Sequence, residues 1–297
     1  MKGALQGWVV ASLTSMLLIA TTTAAVAVEV TDADRVFRNY TRETATVGAN
    51  QFRIEVRGLT QERKDNARLN LAGQRLPRCP IQGLECTKTL SGGFLDLVGS
   101  YGFGKNAEVG FIFPGVIESR HINQNIPTDA EGGTVELKQT LNDADIGDIE
   151  MYTKFQRPVA QHCAVGGGVE LTLPTGSKAK GLGTGELGIN PFGSTRYQRG
   201  AFAVGGNVGY QFYTGEVTGV FNYGTEVIVR GSEMYALRTE LAGRLLHEDG
   251  LNFHDLSVLP GVDINLASNL VVRPTGLIGV SPSAPDWGIG LGLAASF

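Results

Sequence analysis

The chain has 297 residues with a formal net charge of −4, 41 glycines and a mean hydropathy close to zero. This acidic balance argues against a nucleic-acid-binding protein, which needs a basic patch. After the N-terminus, no stretch approaches the roughly 18 consecutive apolar residues of a spanning helix, which excludes a helical membrane protein. Near-neutral hydropathy remains compatible with a transmembrane barrel, because only alternate residues of each strand meet lipid.

Residues 1–27 have the three parts of a secretory signal peptide. Lys2 supplies the positive charge, residues 8–20 form a short apolar segment, and Ala25-Val26-Ala27 fits the small-residue cleavage site. A membrane anchor is the alternative, but the apolar segment is short for a spanning helix. Residues 28–50 are polar, and we interpret them as either a periplasmic arm or a plug, followed by a barrel over residues 51–297.

The last stretch, residues 286–297, has the clearest alternation in the chain. Its large apolar residues share one parity and its small residues the other, which places the two sets on opposite faces of a strand. The large set is Trp287, Ile289, Leu291, Leu293, Ala295 and Phe297. A chain that ends on Phe after alternating hydrophobics resembles the closing strand of bacterial outer-membrane β-barrels. We expect the barrel-assembly machinery of that membrane to engage this strand at Phe297.

The same alternation predicts about twelve antiparallel strands in an all-β, up-and-down transmembrane barrel in the bacterial outer membrane. The predicted strands are residues 51–59, 94–103, 107–114, 148–156, 160–173, 185–195, 200–213, 219–230, 233–246, 251–266, 269–280 and 286–297. Residues 60–92 are interpreted as a long polar loop, and residues 115–146 as irregular.

The connections between these strands alternate in length. Short connections are predicted around Lys105, Pro158, Gln198, Ser232 and Ser268. Most of the intervening connections are longer or rich in glycine, although those at residues 247–250 and 282–285 are short. Long outer loops with short periplasmic turns are typical of outer-membrane barrels.

Cys79 and Cys86 bracket a short polar loop in a chain predicted to be exported. An oxidising compartment favours a disulfide between them. A zinc site is the alternative, but no histidine lies nearby in the sequence. We predict no metal and no cofactor. Cys163 is left over within a predicted strand and is interpreted as a small packing residue.

Two motifs suggest catalysis but lack the context that catalysis needs. Residues 99–106 nearly match a phosphate-binding loop, but Asn106 replaces the required Ser or Thr, and a hairpin turn explains them better. His254 and Asp255 lie near a predicted outer loop, as acidic residues and a His-Asp pair do in omptin-type barrel proteases. Neighbours on a strand point to opposite faces, so these two side chains cannot easily meet. We therefore expect no enzyme and no catalytic residue.

Charged residues of the strands fall on the parity opposite the large apolar residues, so we expect them to line the lumen. An Arg or Lys in the lipid would cost about 2–4 kcal/mol near the midplane. The predicted lumen-lining residues are Arg53, Glu55, Arg57, Asp96, Glu108, Asp148, Glu150, Lys154, Glu170, Glu226, Arg230, Arg238, Glu240, Arg244, Asp263 and Arg273. Both signs are present, so strong ion selectivity is not expected.

Three short segments resemble a bacterial family of outer-membrane proteins labelled "MetA-pathway of phenol degradation". They are residues 100–110 (SYGFGKNAEVG), residues 147–149 (GDI), and the pair LPTG at 173–176 with GLGTG at 181–185. The resemblance covers roughly residues 51–297 and implies a transporter-like barrel without catalytic residues. It implies a barrel related in kind to transporters of hydrophobic compounds, without identifying the substrate. Our leading hypothesis is passive uptake of a small solute, of the hydrophobic or aromatic class. The alternatives are a non-transporting barrel whose outer loops bind a partner and, less favoured, an omptin-like protease.

Overall fold

The computed structural model describes residues 49–67, 86–103, 106–127, 134–178, 182–215, 219–248, 251–281 and 284–297. The predicted signal peptide and all but the last two residues of the polar segment 28–50 lie outside these ranges. So does Cys79, and the disulfide to Cys86 stays a prediction. None of the helices in the described part of the chain is long and apolar enough to cross a membrane.

The described residues form one antiparallel sheet that closes on itself. Its strands pair in chain order, and β1 pairs with β13 to complete the ring. The strands are β1 (Phe52–Ala67), β2 (Cys86–Gly102), β3 (Ala107–Pro127), β4 (Thr134–Ile146), β5 (Ile149–Ala160), β6 (Cys163–Leu173), β7 (Gly188–Arg199), β8 (Phe202–Tyr213), β9 (Val220–Arg230), β10 (Tyr235–Glu248), β11 (Leu251–Ala267), β12 (Leu270–Gly279) and β13 (Trp287–Ser296).

Strands β4 and β5 are two halves of one barrel strand interrupted at Gly147 and Asp148. The far half of β3 pairs with β4, whereas its near half pairs with β5. Because β4 and β5 follow the same edge of β3 in the same direction, the ring has twelve strand positions. The predicted fold class and strand number are therefore confirmed.

The two faces of the wall differ as the parity predicted. Large apolar residues on the outer face are exposed, with Leu95 at 59%, Ile289 at 65% and Leu291 at 59%. Charged residues on the other face, among them Glu55, Glu170 and Glu240, are buried within the closed ring. An apolar outside around a polar inside suits a barrel that spans the bacterial outer membrane.

Short turns join the strands at one end of the barrel. In the described residues, β5–β6, β7–β8 and β11–β12 are each joined by two residues, and the β2–β3 and β9–β10 connections are also short. The turns predicted around Pro158, Gln198, Ser232 and Ser268 lie within a few residues of the observed connections, and the turn predicted around Lys105 lies outside the described residues, between β2 and β3. The other end carries the longer connections, which by the same asymmetry is the outer side.

The prediction that residues 115–146 are irregular is wrong. Strand β3 runs on to Pro127 and pairs with β4 from Gly115↔Ile146 to Pro127↔Thr134. The interpretation of residues 60–92 as a long loop is also wrong at both ends, because β1 and β2 stay paired as far as Ala67↔Cys86, beyond the last β1–β13 pair. The four strands form a sheet that extends past the barrel wall. Interior-and-lipid alternation gives no signal for strands outside the membrane, because neither face meets hydrocarbon there.

The C-terminal strand closes the ring as predicted. Its residues pair with β1 from Arg53↔Ser296 to Glu62↔Trp287, and Phe297 exchanges two backbone hydrogen bonds with Phe52 at 2.8 and 3.0 Å. Full pairing of this edge matters because an unsatisfied backbone group in lipid costs several kcal/mol. The Phe297 side chain remains 70% exposed.

Candidate functional site: the barrel interior and the loop that crosses it

The loop between β6 and β7, residues 174–187, is held by one buried carboxylate. Asp148, which is fully buried, accepts hydrogen bonds from the Gly176 N–H at 2.8 Å and from the Thr184 N–H at 2.7 Å. The Thr184 hydroxyl donates a further bond to the same carboxylate at 2.8 Å. Thr175 continues the contact, because its hydroxyl donates to the Gly147 carbonyl and accepts from the Ile149 N–H.

Glycine is required where the loop approaches its anchor. A Cβ at Gly183 would lie 2.5 Å from the Asp148 carboxylate, and one at Gly176 would lie 2.6 Å from the Leu182 carbonyl. Gly185 has a φ of +70°, a conformation that side chains rarely adopt. The sequence segments GDI, LPTG and GLGTG, which carried the family resemblance, therefore meet at Asp148. The connection left between the predicted strands 160–173 and 185–195 is therefore held in place by hydrogen bonds to Asp148.

The anchored loop carries Leu182 across the interior. Leu182 is 1% exposed and belongs to one buried apolar cluster, which we call the leucine cluster. The cluster consists of Leu59, Phe94, Leu182, Ala242, Leu259 and Leu277. Its other members lie on β1, β2, β10, β11 and β12, which in a ring of twelve are the strands opposite β6 and β7. The loop thus spans the lumen and packs on the far wall.

A chain of ion pairs follows that far wall about four residues closer to the short-turn end. Glu55 pairs with Arg53 at 2.8 Å and with Arg273 at 3.3 Å. Asp263 pairs with Arg273 at 3.4 Å and with Arg238 at 2.8 Å, and Arg238 reaches Glu240 at 3.0 Å. At about 3.3 Å per residue, this belt lies about 13 Å along the strands from the leucine cluster.

The inner face of β13, which carries glycines, allows this belt of ion pairs to continue from β12 to β1. Arg273 on β12 and Glu55 on β1 are separated by β13, and they meet over Gly292. A Cβ at Gly292 would lie 3.3 Å from the Arg273 Cβ and 3.5 Å from the Glu55 Oε1. The glycines of β13 therefore leave room for interior side chains of its two neighbours to pair.

Further ion pairs lie on the other strands. The Lys154 Nζ lies 3.4 Å from Glu108, which also accepts a hydrogen bond from the Tyr152 hydroxyl at 2.8 Å. Arg57 approaches Asp96 at 3.9 Å, and Arg196 approaches Glu226 at 3.8 Å. Charges of both signs are thus largely engaged with each other.

The structure places most of the predicted lumen-lining residues on the buried side of the wall. The buried ones are Glu55, Asp96, Glu108, Asp148, Glu150, Lys154, Glu170, Glu226, Glu240 and Arg244. Arg53, Arg57, Arg238, Asp263 and Arg273 are half-buried, and Arg230 is exposed at the end of β9. Asp148 differs from the others because it lies at the strand break and binds the loop.

Sequence reasoning missed several interior residues, among them Asp255, Arg196 and Tyr152. Arg196 was left out because the predicted strand ended at residue 195, whereas β7 runs to Arg199. Tyr152 shares the parity of Glu150 and Lys154 but carries no charge, so it was not selected. Extending the alternation of Asn190 and Ser194 by one step would have found Arg196.

The His254–Asp255 pair does not form a catalytic site. The His254 side chain lies on the outer face, where its Nε2 hydrogen-bonds the Tyr223 hydroxyl. Asp255 is buried on the inner face. Opposite directions are what adjacent positions on a strand require. The described residues also contain no group of three or more His, Cys, Asp or Glu that could hold a metal ion.

Neither a family model nor a curated protein matches the chain. Among solved structures, the fold is similar to the COG4313 outer membrane channel from Pseudomonas putida F1, with 13% identity and a TM-score of 0.59. The match covers 86% of this chain and 98% of that one.

Two further structures match less well. The KdgM porin has 11% identity over 82% of this chain and 99% of that one, with a TM-score of 0.45. The Pseudomonas putida toluene transporter TodX has 8% identity over 92% and 99%, with a TM-score of 0.43. Likeness at these identities concerns the fold alone, and the last two matches carry no argument.

Proposed function

We propose that the protein is a passive outer-membrane channel for a small hydrophobic or aromatic solute, related in kind to the "MetA-pathway of phenol degradation" proteins. The single observation that carries this proposal is the loop anchored on Asp148 that lays Leu182 on the leucine cluster. A barrel that transports nothing does not need a loop that narrows its lumen. A loop that narrows a lumen and lines the narrow part with apolar side chains selects solutes by width and polarity.

The interior charges, which we propose line the axial path open to ions, support weak ion selectivity. Carboxylates and cationic groups pair along β1, β12, β11 and β10, as well as at Glu108 with Lys154. Paired charges of both signs create no strong field of one sign. Uptake then follows the concentration gradient of the solute, without energy coupling, cofactor or catalytic residue.

The exposed closing strand supports a second part of the proposal. The Phe297 side chain remains exposed after β1 and β13 have paired. We propose that the assembly machinery recognises it before closure, while the surrounding partners are outer-membrane lipid and the solute.

Planar-bilayer recording tests the channel directly. We expect discrete conductance steps with a reversal potential close to zero in a salt gradient. Cells that express the protein should take up labelled toluene or phenol faster than cells with the empty vector, and glucose no faster. A barrel without conductance steps and without uptake would contradict the proposal.

A non-transporting barrel with a partner-binding outer surface is the second candidate. The observation that favours it is the four-stranded sheet of β1–β4 that extends beyond the wall. Deleting residues 116–143 separates the two functions, because a channel should still conduct without this extension. Partner binding without conductance in the full-length protein would favour the second candidate.

A further inference from the structure

The pairing of β11 with β12 is the most interrupted in the described part of the barrel. Strand β10 pairs with β11 at every position from Tyr235↔Ile264 to Glu248↔Leu251. Between β11 and β12, by contrast, the register passes from Val258↔Ile278 to Gly261↔Thr275 and then to Ile264↔Val272. The two positions between each of these pairs are not bridged.

We call the paired edges of β11 and β12 the β11–β12 seam. Each interruption contains a proline at a position where another residue would donate its backbone N–H across this seam. The Val280 N–H donates to the Leu256 carbonyl, so alternate residues from these two positions direct their backbone groups across the seam. Pro260 on β11 and Pro274 on β12 share those parities. Both therefore remove a donor from the same ladder, since proline has no N–H. Prolines are normally confined to edges or bulges of sheets.

The apolar part of the interior lies directly behind the first interruption. Leu259 and Leu277 would be partners there, and both belong to the leucine cluster with Leu182 of the crossing loop. They are 5% and 2% exposed. On the outer face, Pro260 and Ile278 meet the lipid side, with Ile278 at 55% exposure. One weakened strand pair thus separates the leucine cluster from hydrocarbon.

A proline also interrupts the β7–β8 pairing, but the inward-facing residues at that position are polar. The register passes from Ile189↔Phe212 to Phe192↔Gly209 at Pro191. The inward residues there are Asn190 and Gln211, both buried and polar. An apolar solute gains nothing at that position, which leaves the β11–β12 seam as the distinctive one.

The route along the barrel axis is unfavourable for an apolar solute. Beyond the leucine cluster lies the belt of ion pairs formed by Glu55, Arg273, Asp263 and Arg238. An apolar molecule entering this belt would have to separate charged groups or displace their water without offering hydrogen bonds. A sideways route into hydrocarbon avoids that cost.

We propose that the β11–β12 seam is a lateral exit through which an apolar solute passes from the leucine cluster into the outer membrane. This inference rests on the proposed function and names its solute class as uncharged and apolar. The strands part transiently where Pro260 and Pro274 remove ladder bonds, while the rest of the ring stays paired. Ions use the axial route and do not cross the seam.

A reversible cross-link tests the exit. Gly261→Cys with Thr275→Cys places two thiols on a bridged pair between the two prolines, both facing the interior. The matched control is Ser194→Cys with Asn207→Cys, an inward-facing bridged pair in β7–β8. Both are made in a background in which Cys79, Cys86 and Cys163 are each changed to Ser, and maleimide labelling measures whether each engineered disulfide forms.

Initial uptake of labelled toluene by expressing cells is the readout, with potassium chloride conductance in planar bilayers beside it. We expect the oxidised seam variant to lose at least about five-fold in toluene uptake, to keep its conductance and to recover on reduction. The control pair should change neither. Toluene uptake retained in the oxidised seam variant, or lost equally in the control, would overturn the lateral exit alone. Wild-type cells that take up toluene no faster than empty-vector cells would overturn the proposed function as well.

Discussion

Two sets of inward-facing carboxylates hold different parts of this barrel. Asp148 accepts hydrogen bonds from neutral N–H and O–H groups of a loop. Glu55 and Asp263 bind guanidinium groups of neighbouring strands. All three were assigned to the lumen by the same parity argument. The comparison teaches that an inward carboxylate can either hold a loop that crosses the lumen or link neighbouring strands of the wall. Hydrogen bonds from neutral N–H and O–H groups accompany the first role, and ion pairs with guanidinium groups accompany the second.

The largest effect is expected at the loop anchor. Asp148→Ala removes the acceptor of three hydrogen bonds, and bonds to a charged group contribute about 1.5–3 kcal/mol each. The loop should leave the lumen, so single-channel conductance should rise several-fold while the barrel stays folded.

Thr184→Ser is the matched control for this change, because it keeps the hydroxyl that donates to Asp148. Its conductance should stay close to that of the wild type. Unchanged conductance in Asp148→Ala would mean that the loop does not limit permeation, and the contrast between the two carboxylate sets would fail.

The next effect is expected in the wall. Arg273→Met leaves Glu55 paired with Arg53 and Asp263 paired with Arg238. The expected loss of stability is therefore below the cost of about 3–5 kcal/mol for a buried charge that is left without a partner. Urea unfolding, followed by the heat-modifiable band on gels, should shift to lower urea.

Arg57→Met provides the graded control for the wall. Its ion pair with Asp96 is longer, at 3.9 Å, and its side chain is 19% exposed. A smaller loss of stability is expected. Equal losses of stability for the two variants would argue that the ion pair between Arg273 and Glu55 across β13 contributes no more than the pair between Arg57 and Asp96.

A smaller loss of stability is expected from filling the glycine face of β13. Gly292→Leu places a side chain between Arg273 and Glu55, and overpacking of this kind costs about 1–3 kcal/mol. Gly193→Leu is the control, because a Cβ there meets no atom within 4 Å. Equal urea midpoints for Gly292→Leu and the wild type would contradict the role assigned to the glycines.

The smallest effect is expected from His254→Ala. The imidazole faces outward and lies on the side of the strand opposite Asp255, so neither conductance nor peptide hydrolysis should change. A panel of fluorogenic peptides checks this with the wild type beside the variant. Cleavage by the wild type that disappears in the variant would instead favour the omptin-like alternative.

The alternation of side chains predicted much of the wall but little of what lies inside it. Twelve strand positions, the short turns and the pairing of β1 with β13 followed from a period of two and from loop lengths. The extension of β3 and β4 did not, because strands outside the membrane have no lipid-facing side. Arg196 escaped selection because the predicted β7 was too short.

The sequence by itself determined which side chains face lipid and which face inward, because the backbone of a strand points successive residues to opposite sides. It also determined that the ring closes through its last strand, since an open edge is unstable in hydrocarbon. Only the tertiary structure decided which inward charges meet, that Asp148 binds the loop, and that Leu182 reaches the far wall. Those contacts join residues far apart in the chain, and their distances depend on how the whole ring curves.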